Sequence, residues 1–175
     1  ENGIVDCISS FPYYDIPKNT EIFITCSNKQ LGSYPGLSIV GVHKDIWSKL
    51  HTNNVMSYLN LHRYYTFSKK YQTPTTAPTH LVHHLNKVLR NFNLNKLRTK
   101  IDEMSNLLVT TIGSSNIIGK TQCPVITVNK DIIPIEIATR YQLYGINTNS
   151  DNYQFFTYSC DEKIDKRFCK ELCQY

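Results

Sequence analysis

The sequence predicts an α+β fold, an antiparallel sheet packed against helices and stapled by disulfides. Strand-like segments lie in the first and last thirds of the chain, with helix-like segments between them. The six cysteines are an even number and lack the C-x-x-C spacing of a zinc ribbon or redox dithiol, which favours disulfides formed in an oxidising compartment. We therefore expect one secreted domain over residues 1–175, its disulfides drawn from Cys7, Cys26, Cys123, Cys160, Cys169 and Cys173.

The pairing of these cysteines stays open, since six cysteines allow 15 connectivities. The alternative is that all six are free thiols of a cytosolic protein. The chain begins at Glu1 without an apolar signal region, so we expect a processed form from which a signal peptide has been removed.

The first third predicts strands. Residues 1–20 indicate an irregular arm, and residues 22–26 are rich in the β-branched and aromatic side chains that favour a strand. A turn at residues 32–36 leads to a second apolar strand at 37–42. Asp45 is placed to cap a short helix.

The middle third predicts two helices after a proline- and threonine-rich loop at residues 71–79. Thr79 is a natural N-cap, and apolar residues then follow at helical spacing as far as Phe92. A two-residue step to Leu94 breaks the phase, because each residue turns a helix by about 100°. The pattern therefore predicts two helices that meet at Asn93, which caps the second.

The last third predicts three strands. Residues 124–128 form an apolar segment before a turn, and residues 135–143 alternate between apolar and polar side chains. An aromatic strand at residues 153–159 ends at Cys160.

The net charge of +5 is concentrated in one segment. Between Asp45 and Asp102 there is no acidic residue, while eight basic residues lie between Arg63 and Lys100. The charge has two explanations. Solubility is the favoured one, and the other is an anionic partner, either a polyanion such as RNA or a glycosaminoglycan or a secreted host protein. No apolar run is long enough to span a membrane.

Basic and aromatic residues interleave at one place inside this segment. There, side chains that can stack on a ligand lie beside side chains that can neutralise its charge. The candidate ligand-binding residues are Arg63, Tyr65, Phe67, Lys69 and Lys70. Packing of these rings in a small core is the competing interpretation.

The sequence offers no metal site, cofactor site or intact catalytic motif. His80, His83 and His84 share a helical face, but they come from one segment without a neighbouring carboxylate, so a solvated first turn is favoured. No cysteine lies beside an activating histidine, and phosphate-loop and serine hydrolase motifs are absent. We expect no metal, no cofactor and no assigned catalytic residue.

From Leu37 onward the chain resembles the ribonuclease T2 family, which includes the plant S-ribonucleases. The segments that carry this resemblance are residues 37–42 and 65–71, Phe92-Asn93-Leu94 at the helix junction, Pro124-Val125-Ile126, Glu136-Ile137 and the strand into Cys160. The resemblance implies a ribonuclease T2-like fold. It also places Val40 and Lys70 where that family has its two catalytic histidines.

A ribonuclease of this family needs two imidazoles to exchange protons, and neither Val40 nor Lys70 can replace one. The resemblance therefore implies a pseudoenzyme, a secreted non-catalytic binding protein for an anionic or host protein ligand. Two alternatives stay open. One is an active endoribonuclease that uses His43 and His62 instead, and the other is an unrelated secreted module that binds cytokines or glycosaminoglycans.

Overall fold

The computed structural model of the protein describes residues 3–50, 58–159 and 162–174. The chain divides into two compact units, Glu1–Phe92 and Asn93–Tyr175.

Unit 1 contains a three-stranded sheet in the order β1-β2-β3, formed by β1 (Gly3–Asp6), β2 (Thr20–Cys26) and β3 (Ser38–Val42). Strands β2 and β3 are antiparallel and confirm the predicted strands. Strand β1 pairs with β2 in parallel, so the expected antiparallel sheet was wrong. The expected irregular arm was wrong for residues 3–6 and is confirmed for residues 7–19, which form turns and coil. With only four residues, β1 is too short for its alternation to be recognised in the sequence.

The helices of unit 1 follow the sheet. A 3-10 helix (Lys44–Lys49) is capped by the side chain of His43 rather than by Asp45. Helix α1 (Leu61–Ser68) was not predicted from periodicity, whereas α2 (Thr79–Arg90) was. Neither α1 nor α2 has a buried residue.

Unit 2 begins with helix α3 (Leu94–Ile112), and the Asn93 side chain accepts a hydrogen bond from the Lys96 N–H at 2.9 Å. This confirms the predicted helix junction and its cap. An antiparallel sheet follows, in the order β4 (Ile117–Ile118), β5 (Val125–Asn129) and β6 (Asn152–Phe156). Helices α4 (Ile135–Arg140) and α5 (Glu162–Leu172) complete the unit.

The core of unit 2 lies between its sheet and its helices. Alternate residues of β5 and β6 face this core, which is why Ile126, Val128 and Tyr153 are almost completely buried. Leu108 of α3 and Phe168 of α5 pack against them. The predicted strands at residues 124–128 and 153–159 are therefore confirmed in this sheet.

The strand expected at residues 135–143 was wrong, because Ile135–Arg140 form helix α4. Pro134 precedes that helix with the φ angle of a first turn, and its carbonyl accepts the Ala138 N–H. Within α4, only Ile137 and Ala138 are buried. Adjacent residues of a strand point to opposite faces, so these two could not both face the core from a strand. Over six residues, periods of 2 and 3.6 are too alike to separate.

The expected disulfides are not formed by the described cysteines. Among the described cysteines, Cys7, Cys26, Cys123, Cys169 and Cys173 are free thiols, and Cys160 lies outside the described residues. Cys169 and Cys173 are one helical turn apart, where Cβ atoms are too distant for an unstrained disulfide. Burial raises the pKa of the Cys123 and Cys169 thiols and keeps them protonated. Secretion, which was inferred from these disulfides, stays a prediction.

The fold class also differs from the expectation. A parallel strand pair in unit 1 and helices interspersed among the strands make this a small α/β protein without disulfides among the described cysteines. Across the described ranges, no helix combines the length and apolar character that a membrane crossing requires.

Candidate functional site

The most distinctive site of unit 1 is the loop between β2 and β3, residues 27–36, called here the Lys29 loop. It starts where β2 ends, and the parallel neighbour β1 runs in the same direction. In sheets with parallel strands, ligands bind outside the carboxyl ends of the strands, because loops and their backbone groups converge there. The Lys29 loop therefore occupies a position that favours ligand binding.

Lys29 differs from the other lysines of unit 1 because it is partly buried. The remaining six are exposed: Lys18, Lys44, Lys49, Lys69, Lys70 and Lys87. Unit 2 also has partly buried lysines, Lys100 and Lys130, whose amines each donate to a backbone carbonyl at 3.1 Å. A lysine amine is a group that can attack a carbonyl carbon, and Lys29 places one in a partly buried loop.

Internal hydrogen bonds close the Lys29 loop on itself. The Ser27 hydroxyl donates to the Tyr34 carbonyl at 2.6 Å, and the Ser33 N–H donates to the Ser27 carbonyl at 2.9 Å. Both serines are buried, so these bonds are shielded from competition with water. Gly32, with φ 71°, supplies the left-handed residue that the reversal requires.

Gln30 anchors the loop to the N-terminal part of the chain. Its amide donates to the Ser9 carbonyl at 2.6 Å and accepts from the Tyr13 N–H at 3.0 Å. The side chain is buried, and both ends of the amide are satisfied. The residue that follows Lys29 is thereby fixed.

A third set of contacts, called here the His84 clamp, joins the loop to α2. The Ser33 hydroxyl lies 2.9 Å from Nδ1 of His84, and the Tyr34 ring stacks on the imidazole with centroids 4.0 Å apart. A Cβ added at Gly36 would lie 2.8 Å from the Leu81 side chain, so the loop also approaches α2 closely there. The clamp comprises Ser33, Tyr34 and His84.

The predicted ligand-binding residues lie together on or just after α1. The Lys69 amine lies 4.2 Å from the centroid of the Tyr65 ring, which also stacks on Trp47 at 4.5 Å. The Arg63 guanidinium lies 5.7 Å from the Phe67 ring centroid and donates to the Pro74 carbonyl. These rings do not form a buried core, because α1 has no buried residue. Lys70 is exposed beside them.

The histidines proposed for acid–base chemistry do not form a catalytic pair. His43 caps the 3-10 helix, and its ring lies 3.6 Å from the Asp45 carboxylate. His62 lies on α1, and the structure shows no hydrogen bond between the two rings. In the ranges that the structure describes, no three His, Cys, Asp or Glu side chains are arranged to hold a metal ion.

No family model matches the sequence, and no curated protein is significantly similar to it. Solved structures do share its fold. A Thermus thermophilus aspartate aminotransferase of subgroup IV superposes with a TM-score of 0.76 at 14% identity, covering 98% of this chain and 54% of that one. The chain has an aminotransferase-like fold.

Two further solved structures are similar to this chain in fold. A phosphoserine aminotransferase from Cytophaga hutchinsonii gives a TM-score of 0.70 at 18% identity over 96% of this chain and 54% of its own. An alanine–glyoxylate aminotransferase from Nostoc gives 0.67 at 19% identity over 98% and 52%. The chain thus spans about half the length of these structures.

These similarities correct the ribonuclease T2 resemblance and everything that was derived from it. The chain order of short strands and helices was compatible with both folds, but the aminotransferases match the observed topology over nearly the whole chain. The secreted ribonuclease-like pseudoenzyme and the endoribonuclease that uses His43 and His62 are therefore wrong. Val40 and Lys70 are not replacements for catalytic histidines.

Sequence reasoning missed Lys29. The residue follows a predicted strand and precedes a predicted turn, and it is flanked by the polar residues Asn28 and Gln30. That signal was present, but it is common to many surface loops. What distinguishes Lys29 is its burial and its position at the end of a parallel strand, and both depend on folding.

Proposed function

We propose that the chain is part of an aminotransferase-type protein in which Lys29 binds the aldehyde of pyridoxal phosphate covalently. The observation that carries the proposal is the position of this partly buried lysine beyond the carboxyl end of β2, within a fold shared with aminotransferases. Pyridoxal phosphate, when bound, supplies the ring that withdraws electrons from the substrate's Cα.

The residues of the Lys29 loop fit the aldehyde of this cofactor. The amine is a suitable nucleophile for the aldehyde, and the hydrogen bonds of Ser27 and Gln30 fix the backbone on either side of it. With the cofactor bound, the Lys29 amine would be the group that carries a proton to or from the substrate's Cα. The buried polar side chains of the loop already have partners, so they do not supply the phosphate site.

The test is covalent capture. The protein is incubated with less than one equivalent of pyridoxal phosphate, reduced with borohydride, digested and analysed by mass spectrometry. We expect the adduct chiefly on Lys29, and Lys29→Ala should remove most of the captured cofactor. Lys18→Ala is the matched control, because Lys18 is an exposed lysine of the same unit. An adduct spread evenly over the exposed lysines would show that Lys29 has no special reactivity.

As a separate property, we propose that the basic residues on and just after α1 bind polyanions. Lys69 and Lys70 are exposed, and the cation–π contact between Lys69 and Tyr65 orients one of these charges. The sequence has no acidic residue between Asp45 and Asp102 to oppose them. This proposal is independent of the ribonuclease scaffold.

Retention on immobilised heparin at increasing salt tests this second proposal. Changing both Lys69 and Lys70 to glutamate should lower the salt concentration needed for elution, because fewer counterions are then released on binding. The change of Lys18 and Lys44 to glutamate alters the net charge equally outside the segment. An equal shift for both double variants would mean that only net charge matters.

A further inference from the structure

Unit 2 contains a cleft whose lining residues are not among those of the proposed Lys29 site. It lies where the end of α4 meets α5, has a volume of about 310 Å³, and is called here the arginine cleft. Its lining residues are Arg140, Tyr141, Gln142 and Arg167. This volume is at the lower end of the range typical of small-molecule sites.

One carboxylate orients both arginines. Nη1 of Arg140 donates to Oε2 of Glu171 at 2.9 Å, and Nε of Arg167 lies 3.4 Å from Oε1 of the same side chain. The Glu171 side chain is 21% exposed, against 61% and 75% for the two arginines. A largely buried acid therefore holds two guanidinium groups that still face solvent.

The cluster carries an unbalanced charge. Glu171 neutralises one guanidinium, and the ion pairs of the described residues give Arg140 and Arg167 no other acidic partner within 4.0 Å. Two guanidinium groups that share one carboxylate repel each other, and a second anion would remove this repulsion. Each guanidinium has five N–H donors and uses one on Glu171, so donors remain for an incoming ligand.

We propose that the arginine cleft binds the phosphate group of a small molecule. Paired guanidinium groups match the oxygens of a phosphate in charge and in geometry. The left-handed backbone of Gln142, with φ 50°, ends α4, and the Leu143 N–H donates to the Ala138 carbonyl at 3.0 Å across this turn. The helix end that carries Arg140 is thereby fixed. The cleft has more room than a phosphate alone needs, which leaves space for an attached organic group.

The experiment is calorimetric titration of the whole chain with inorganic phosphate, with acetate at the same ionic strength as the comparison. Arg140→Ala and Arg167→Ala should each weaken phosphate binding about tenfold, the usual cost of losing one charge-assisted hydrogen bond. Lys170→Ala is the matched control, because it removes one positive charge from α5 outside the cleft lining. Phosphate should also raise the Tm of the wild-type chain more than acetate does.

The outcomes separate a site from a diffuse charge effect. Loss of binding in both arginine variants with normal binding in Lys170→Ala supports the proposal. Equal weakening in all three variants, or equal binding of phosphate and acetate, overturns it, as does an absence of phosphate binding in the wild type. Because both arginines are exposed, the variants should fold, and their circular dichroism spectra verify this.

Discussion

The two units of the molecule are stabilised in different ways. Among the described residues, unit 1 has four buried apolar side chains, Cys7, Ile22, Leu31 and Ile46, whereas unit 2 has sixteen. The exposed large apolar side chains show the reverse distribution, with nine in unit 1 and three in unit 2. Within the part of the chain that the structure describes, unit 2 therefore buries far more apolar side chains than unit 1 does.

This difference indicates how the Lys29 loop is held. Because unit 1 buries few apolar side chains, the Lys29 loop must be positioned by directional contacts. These contacts are the hydrogen bonds of Ser27 and Gln30 and the His84 clamp. Directional contacts fix individual atoms but stabilise a fold less than a large core does. The candidate site thus lies in the less stable unit, as is common for functional regions.

The largest expected effect tests the contrast between the cores. Leu108 of α3 is 2% exposed and Leu89 of α2 is 46% exposed. Leu108→Ala should lower the free energy of unfolding by ~2–5 kcal/mol, because it leaves a cavity in the core of unit 2. Leu89→Ala should change it by less than ~0.5 kcal/mol. Urea unfolding followed by circular dichroism measures both, and equal losses would refute the contrast.

Elements with local signals could be predicted from the sequence. Strands β2 and β3 have runs of β-branched residues, and the junction of α2 and α3 has a phase break beside a capping asparagine. Each signal lies within a few residues of the structure that it specifies. Helix α4 was missed because six residues are too few to establish a period.

The candidate site depended on contacts that are distant in sequence. Strand β1 becomes recognisable only when paired with β2, and that pairing gives Lys29 its place at the end of a parallel strand. The bond between Ser33 and His84 joins residues 51 positions apart. The cysteines misled the prediction because their number suggested bonds that the described geometry does not make. None of these features can be predicted from the amino-acid composition.

The next effect, of intermediate size, tests the His84 clamp and presupposes the capture of pyridoxal phosphate on Lys29. Ser33→Ala and His84→Ala should each slow that capture about fivefold, since losing a hydrogen bond of about 1 kcal/mol lets the loop move. His83→Ala is the control, because His83 is exposed on the same helix outside the clamp. Unchanged capture in well-folded Ser33→Ala and His84→Ala variants would show that the clamp does not position Lys29.

The smallest effect concerns the ion pairs of Glu171 in unit 2. Burial alone would raise the pKa of this carboxyl group, but Arg140, followed by Tyr141 and then Arg167, lowers it below its usual range. A pKa that is lower in the folded chain contributes stability above the unfolded value of about 4.3. That contribution is lost as the pH falls through the folded pKa.

Glu171→Gln should therefore lower the Tm slightly at neutral pH, and the difference from wild type should shrink below about pH 4. The effect is small because both arginines are exposed and exposed ion pairs contribute little. Glu103→Gln, an exposed position in the middle of α3, removes a carboxylate without removing an observed ion pair. Thermal unfolding across this pH range measures both variants. If the two show the same pH dependence, the stability of unit 2 comes from its apolar core without help from the arginine pairs.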